Sequence, residues 1–138
     1  MILHYINTSS GEPLSDEKIA YEDIPGLRGY QPVFEKRAVK PLLSAFGLNR
    51  YAFLEAGLGL GGIQEEYGDV SFTLYVFPKV PITFILWEGD EEFAPALKML
   101  FDSSIPRYLP LEDITVITKL ASIRITKEAR IRYSEENV

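Results

Sequence analysis

Residues 70–87 constrain the fold more than any other part of the chain. In VSFTLYVF every second residue from Val70 is a large apolar one, and ITFILW has the same period of two from Ile82. This alternation is typical of a strand with one buried face. Pro78 and Pro81 in the intervening PKVP indicate a turn, because proline cannot donate a ladder hydrogen bond. The pattern predicts an antiparallel β-hairpin.

Helical patterns lie on both sides of this hairpin. Residues 32–47 have helical periodicity and include Pro41, which must kink the helix or begin a second one. Asn49 is the expected N-cap of a following helix that ends in the glycine-rich run at 57–62. Pro110 opens the last helix, whose apolar residues recur on one face.

Three shorter segments complete the assignment of elements. Residues 18–22 indicate a short strand, while LKMLFD at 97–102 fits either a third strand or one helical turn. The opening ILHYI resembles the last turns of an amphipathic helix. These patterns predict a single α+β domain over residues 1–138, with a small antiparallel sheet centred on the hairpin at 70–87 and helices packed on one face.

Composition excludes several functional classes. The chain has 138 residues, with 14 Lys and Arg against 20 Asp and Glu, and its formal charge of -6 disfavours nucleic acid as a partner. The absence of cysteine excludes disulfides and thiolate metal sites within the chain. The start meets polar Asn7 too early for a signal peptide, and the apolar run VPITFILW is too short to span a bilayer. We therefore expect a cytoplasmic protein that does not bind membranes.

The motifs that would indicate nucleotide binding or nucleophilic catalysis are weak. GLGLGG at 57–62 matches GxGxxG, but it follows a predicted helix and precedes a strand, which is the reverse of a dinucleotide site. A helix-to-strand connection is the better interpretation. The single histidine, His4, leaves no set of residues for a triad, and FDSS at 101–104 lacks the nucleophile elbow.

Basic residues cluster near the C-terminus. Arg124, Lys127, Arg130 and Arg132 alternate with Glu128 and with apolar residues, and on a helix they drift around the axis. This pattern favours a solvated face over a phosphate-binding stripe.

Carboxylates are concentrated in the stretch that follows the hairpin. ILWEGDEEF places four of them around Gly89, directly after Trp87, and three more follow in FDSS and RYLPLED. If these turns meet at one end of the hairpin, the carboxylates crowd together and either raise one another's pKa or bind a cation. The candidate binding residues are Trp87, Glu88, Asp90, Glu91, Glu92, Asp102, Tyr108, Glu112 and Asp113.

Three interpretations of the acids are open, and the first is favoured. The acids are solvated strand-end and helix-start charges, or they form a site for a cation or polar ligand, or they include an acid/base pair. No cofactor motif is evident, and oxygen ligands without cysteine allow weak binding of Mg²⁺, Ca²⁺ or Mn²⁺. Asp90 and Asp102 each follow a strand at a turn, so we predict that they accept backbone N–H hydrogen bonds.

Three long segments of the chain resemble a known family. FPKVPITFILWEGDEEF and LFDSSIPRYLPLEDI, together with LHYINTSSGEPLSDEKIAYEDIPG, resemble a bacterial and archaeal family described as domain of unknown function three-seven-eight-six. Relatives often have paired prolines where this chain has Ala94 before Pro95. The resemblance covers residues 2–120, and besides the candidate binding residues it includes the family-like residues Gly89, Phe93, Phe101, Ser104, Leu109 and Pro110.

The resemblance implies an anaerobic prokaryotic context but no known reaction. Some relatives have a neighbouring cysteine-rich segment that resembles an iron-sulfur cluster domain. This chain has no cysteine, so the association with an iron-sulfur cluster does not carry over to it. Relatives also have an additional N-terminal portion before the helix that ends in LHYI. We therefore expect this chain to be a shortened version of the family's domain.

These observations favour a binding or accessory module in anaerobic metabolism. The alternative is an enzyme or sensor that uses a carboxylate-lined site for a divalent cation or a polar small molecule. The partner expected for the first function is a second copy of the chain, or another protein that completes its N-terminal side.

Overall fold

The computed structural model describes residues 17–136, so the helix expected at residues 2–6 and His4 lie outside the described residues. Its centre is a five-stranded antiparallel sheet in the order β1-β5-β4-β3-β2. The strands are β1 Lys18–Ala20, β2 Ile63–Glu65, β3 Val70–Phe77, β4 Val80–Trp87 and β5 Ala96–Asp102. The predicted α+β class and the central hairpin are confirmed.

The register of the hairpin follows from its alternation. Phe72 lies opposite Phe84, and both rings are fully buried in the core. The pairing shifts between Tyr75 and Phe77, which indicates a bulge just before the turn. The ambiguous segment after the hairpin is a strand, because β5 pairs along β4 from Ala96 to Phe101.

Within residues 17–136, four α-helices and three 3-10 turns surround the sheet. The α-helices are α1 Gln31–Phe34, α2 Lys40–Phe46, α3 Arg50–Gly59 and α4 Leu111–Glu136, and the 3-10 turns are Tyr21–Asp23, Arg28–Tyr30 and Ile105–Arg107. The Asn49 side chain accepts a hydrogen bond from the N–H of Ala52 at 3.1 Å, so the predicted N-cap of α3 is confirmed.

Pro41 explains the irregular segment that joins α1 to α2. Proline has no N–H, and its ring clashes with the carbonyl four residues earlier in a regular helix. The chain forms a π-helical segment at Glu35–Val39, in which the N–H of Lys40 donates to the carbonyl of Glu35. This wider turn lets the helix continue past the proline without a sharp break.

The long helix α4 crosses the helical layer from one side of the sheet to the other. Near its start, the Thr115 hydroxyl lies 2.7 Å from the phenol oxygen of Tyr21. In its middle, Ser122 donates to the carbonyl of Ala38 at 2.8 Å. Toward its end, the Arg132 guanidinium lies against Gly59 of α3. The helix therefore connects both edges of the domain.

The two outer strands are short and leave parts of the sheet edges open. β1 pairs only with residues 100–102 of β5, and β2 pairs only with residues 71–73 of β3. Among the described residues, no strand lies beside residues 74–77 of β3 or residues 96–99 of β5 on their outer sides.

Candidate functional site

The acidic stretch after β4 forms a loop that hydrogen bonds hold to neighbouring segments of the chain. The Glu88 carboxylate accepts the N–H of Arg50 at 2.9 Å, at the N-terminus of α3. The N–H of Glu88 donates to Asp69 at 2.8 Å, and Gly89 donates to the carbonyl of Gly47 at 2.8 Å. A carboxylate at this position stabilises the helix, because it faces the positive end of the helix dipole.

Asp90 closes the tip of this loop. Its Oδ1 atom accepts the N–H groups of Glu92 at 2.8 Å and of Phe93 at 2.7 Å. Its own N–H donates to the carbonyl of Phe93 at 2.9 Å. The prediction that Asp90 accepts backbone hydrogen bonds is confirmed. Glu91 and Glu92 are exposed beside it.

Asp102 has a similar structural contact at the other end of β5. Its Oδ2 atom accepts the N–H of Ser104 at 3.0 Å and also the Ser104 hydroxyl. This prediction is confirmed too. Tyr108 is fully buried, and the Lys79 ammonium lies 5.8 Å from the centre of its ring.

The remaining candidate residues lie on separate elements. Glu112 and Asp113 occupy the first turn of α4, where negative charge is favourable. Trp87 ends β4 beside Ala96, and its side chain is 40% exposed.

The structure does not bring the acids together. Residues 88–92 leave β4 beside the start of β5, whereas Asp102 ends β5 about 20 Å away along the strand. Within residues 17–136, no group of three or more histidine, cysteine or acidic side chains is arranged to hold a metal ion. The carboxylates whose contacts are resolved act mainly as caps and turn acceptors.

A groove of about 590 Å³ lies between the end of β3 and the middle of α4. Residues 74–77 form one wall, and Leu60 at the end of α3 closes one side. The other wall consists of α4 side chains, including Leu120, which is 47% exposed, and Ile123, which is 51% exposed. Its volume is typical of binding sites, and most of its lining is apolar.

The groove exists because of two features of the fold. β2 is short, so residues 74–76 have no neighbouring strand on their outer side within the described part of the sheet. α4 crosses above that edge and presents a second apolar stripe, at Val116, Leu120 and Ile123, in addition to its buried one. Because these residues recur at intervals of four and three, they share one side of the helix.

Two cations lie at the rim of the groove. Arg124 and Lys127 line it, and within residues 17–136 neither forms an ion pair. Farther along α4, by contrast, Arg132 is paired with Glu128 at 3.4 Å. The groove is thus apolar inside and positive at its edge, although the whole chain carries a charge of -6.

The sequence pattern shows a basic cluster but does not show that Arg124 and Lys127 lie beside an apolar groove. It favours a solvated face for the whole cluster, and Arg130 is exposed outside the groove. The available signal was the second apolar stripe on α4, which a helix with only one packed face does not require.

The glycine-rich run has a structural role. It ends α3 and leads into β2, so the prediction of a helix-to-strand connection is confirmed. A Cβ atom on Gly57 would lie 2.5 Å from the Phe72 ring, and Gly61 has a φ of 88°. Both positions require glycine for packing or backbone reasons.

Two smaller cavities border other parts of the sheet. One, of about 110 Å³, lies on the sheet face opposite the core, where Thr73 and Thr83 hydroxyls are 2.7 Å apart and Asp102 contributes to the wall. The other, of about 260 Å³, follows the open edge of β5 beside Trp87 and Glu35. Neither Glu88 nor Asp90 lines any of the three cavities.

The structure is an α+β domain with a partly open sheet edge and an apolar groove. A protein-family profile described as "Domain of unknown function (DUF3786)" matches residues 1–124. The chain therefore belongs to this family, as the sequence resemblance indicated. No curated protein and no solved structure matches it. In the part of the chain that the structure describes, no helix is long and apolar enough to cross a bilayer.

Proposed function

We propose that this chain is a binding module that holds an extended segment of a protein, rich in acidic and apolar residues, in the groove between β3 and α4. The observation that carries the proposal is the combination of an open strand edge, an apolar groove and two cations at its rim. The role is accessory, and the family resemblance implies an anaerobic prokaryotic setting for it.

An extended protein segment suits the groove because of the open edge. Between Leu74 and Val76, alternate N–H and C=O groups of β3 point away from β4, where a neighbouring strand would satisfy them. Strand addition at such an edge gives affinity through the backbone, and specificity through alternate side chains that enter a groove. The apolar side chains of the segment would pack on Leu120 and Ile123.

The positive charges at the rim of the groove favour a bound segment with acidic side chains. Arg124 and Lys127 lie on one side of the groove, so carboxylates of a bound segment would face two positive charges. Exposed pairs of this kind contribute modestly to affinity, but they steer association and discriminate against basic partners. Their effect falls with ionic strength, because the Debye length is only about 8 Å at physiological salt.

The test is a binding measurement with designed peptides. The probe is a fluorescein-labelled peptide that alternates Glu with Leu and Phe, and the matched probe has Lys in place of Glu. Fluorescence anisotropy should show binding of the acidic peptide and much weaker binding of the basic one. Affinity for the acidic peptide should fall as salt rises.

Two charge reversals on one helix serve as variant and control. Lys127→Glu alters the rim and should weaken binding of the acidic peptide by about tenfold, whereas Arg130→Glu, outside the groove, should have a smaller effect. Equal effects of the two substitutions would mean that only overall charge matters. That result, or failure of the acidic peptide to bind, would contradict the proposal.

A further inference from the structure

The acidic loop presents an aromatic side chain that the fold itself does not use. Phe93 is 69% exposed, whereas the loop that carries it is fixed by three hydrogen bonds involving Asp90. Large exposed aromatic side chains are frequent anchors of protein interfaces. A loop that is already ordered loses little conformational entropy when it binds.

The chemistry of this loop matches the chemistry of the groove. Carboxylates at Asp90, Glu91 and Glu92 surround Phe93, so the loop combines negative charge with an apolar ring. The groove combines an apolar floor with Arg124 and Lys127 at its rim.

A loop and a groove on the same molecule cannot meet. Residues 74–77 lie beside the β3–β4 turn, while the loop leaves the opposite end of β4. At about 3.3 Å per residue these two ends of the hairpin are about 20 Å apart. The contact is therefore possible only between two molecules.

We propose that the loop at residues 88–93 of one copy docks in the groove between β3 and α4 of a second copy, with Phe93 as its anchor. This inference rests on the proposed function of the groove, and it names the segment that the groove accepts.

The symmetry of such an assembly follows from its two different surfaces. Each copy has one loop and one groove, so the contact is heterologous and the assembly is a closed ring or an open chain. A symmetric dimer would instead use one surface twice. The charges also oppose symmetric contacts, since groove against groove brings Arg124 and Lys127 close to their own equivalents.

The test uses two variants that each lose one surface. The loop variant combines Glu91→Lys, Glu92→Lys and Phe93→Ser, and the groove variant combines Arg124→Glu with Lys127→Glu. All five side chains are exposed, so the fold should be retained, and circular dichroism checks this. Sedimentation velocity over a concentration series then measures the mass of each variant and of their mixture.

The wild-type chain should form species larger than a monomer as its concentration rises, and added salt should dissociate them. Each variant alone should associate about tenfold more weakly or not at all. Their equimolar mixture should form a 1:1 dimer and nothing larger, because only one intact loop and one intact groove are present.

Three results would overturn the inference. They are a wild-type chain that stays monomeric, a loop or groove variant that associates as the wild type does, and a mixture of the variants that forms no dimer. If the chain is monomeric but binds the acidic peptide at the groove, the proposed function stands and only the second copy is excluded. If the peptide also fails to bind, both proposals fail.

Discussion

Substitution of Gly57 by alanine should destabilise the domain, although alanine favours helix formation. A Cβ atom at this position would lie 2.5 to 2.6 Å from three carbons of the Phe72 ring, about 1 Å closer than an ordinary carbon contact. The ring cannot move away easily, because it is fully buried, with the Phe53 ring centre at 4.8 Å and the Phe84 ring centre at 5.3 Å.

The expected size of this effect is the difference between two terms. Overpacking of a tight core costs about 1–3 kcal/mol, and the glycine-to-alanine change in a helix contributes about 1 kcal/mol in the opposite direction. The difference is about 0–2 kcal/mol, and because the overlap involves three ring atoms we expect a net loss at the upper end, about 2 kcal/mol. For a chain of this size that corresponds to a decrease in melting temperature of roughly 6–10 °C.

Gly59→Ala in the same helix is the matched control. Its Cβ atom would meet the guanidinium of Arg132, which is 40% exposed and ends a flexible side chain that can move aside. We therefore expect little change or a small gain in stability. Differential scanning calorimetry measures both variants, and a Gly57→Ala protein that melts at or above the wild-type temperature would refute this explanation of the glycine.

Three further predictions concern Asp90, Tyr21 and the response of the acidic loop to divalent cations. Asp90→Ala should lower the free energy of unfolding by about 1 kcal/mol or more in urea denaturation, because two N–H groups lose their acceptor, and Asp90→Asn, which keeps an oxygen, should lose less. Burial raises the pKa of Tyr21, so its neutral form stabilises the fold below about pH 10 and this contribution is lost at higher pH. Tyr21→Phe should therefore cost about 1 kcal/mol at neutral pH, through the lost contact with Thr115, but should show a shallower decline above pH 10; an equally steep decline would contradict the assignment. Millimolar Mg²⁺, Ca²⁺ or Mn²⁺ should leave the melting temperature unchanged, because oxygens of Glu88 and Asp90 already accept backbone N–H groups, and an increase that disappears with Glu88→Gln and Asp90→Asn together would instead establish a cation site.

The central hairpin was predictable because its signal is local. Alternation in β3 and β4 arises from one buried face, and it is visible within eight residues. β5 was ambiguous, since Leu97, Leu100 and Phe101 also fit a helical period, and its pairing with β4 decided the outcome. β2 was missed because its three residues IQE have no apolar pattern and are defined by pairing alone.

The positions of the acidic side chains relative to one another were harder to predict from the sequence. Antiparallel topology nevertheless predicts that some of them lie far apart. Consecutive antiparallel strands end at opposite ends of the sheet, so the loop after β4 and Asp102 after β5 cannot meet. The groove forms because residues 74–77 and residues 117–127, which are distant in sequence, line the same space. The charges of Arg124 and Lys127 were visible, but nothing local indicated that the edge of β3 lies beside them.

The most direct test of the proposed groove is to locate a bound acidic segment by NMR. Amide resonances of the ¹⁵N-labelled chain would be followed during titration with the unlabelled peptide that alternates Glu with Leu and Phe. The largest shifts are expected at residues 74–77 and along residues 117–127, and amide exchange within residues 74–76 should slow as the open strand edge gains hydrogen-bond partners. Shifts confined to the acidic loop or to the opposite face of the sheet around Thr73 and Thr83, with exchange within residues 74–76 unchanged, would contradict a binding site in this groove.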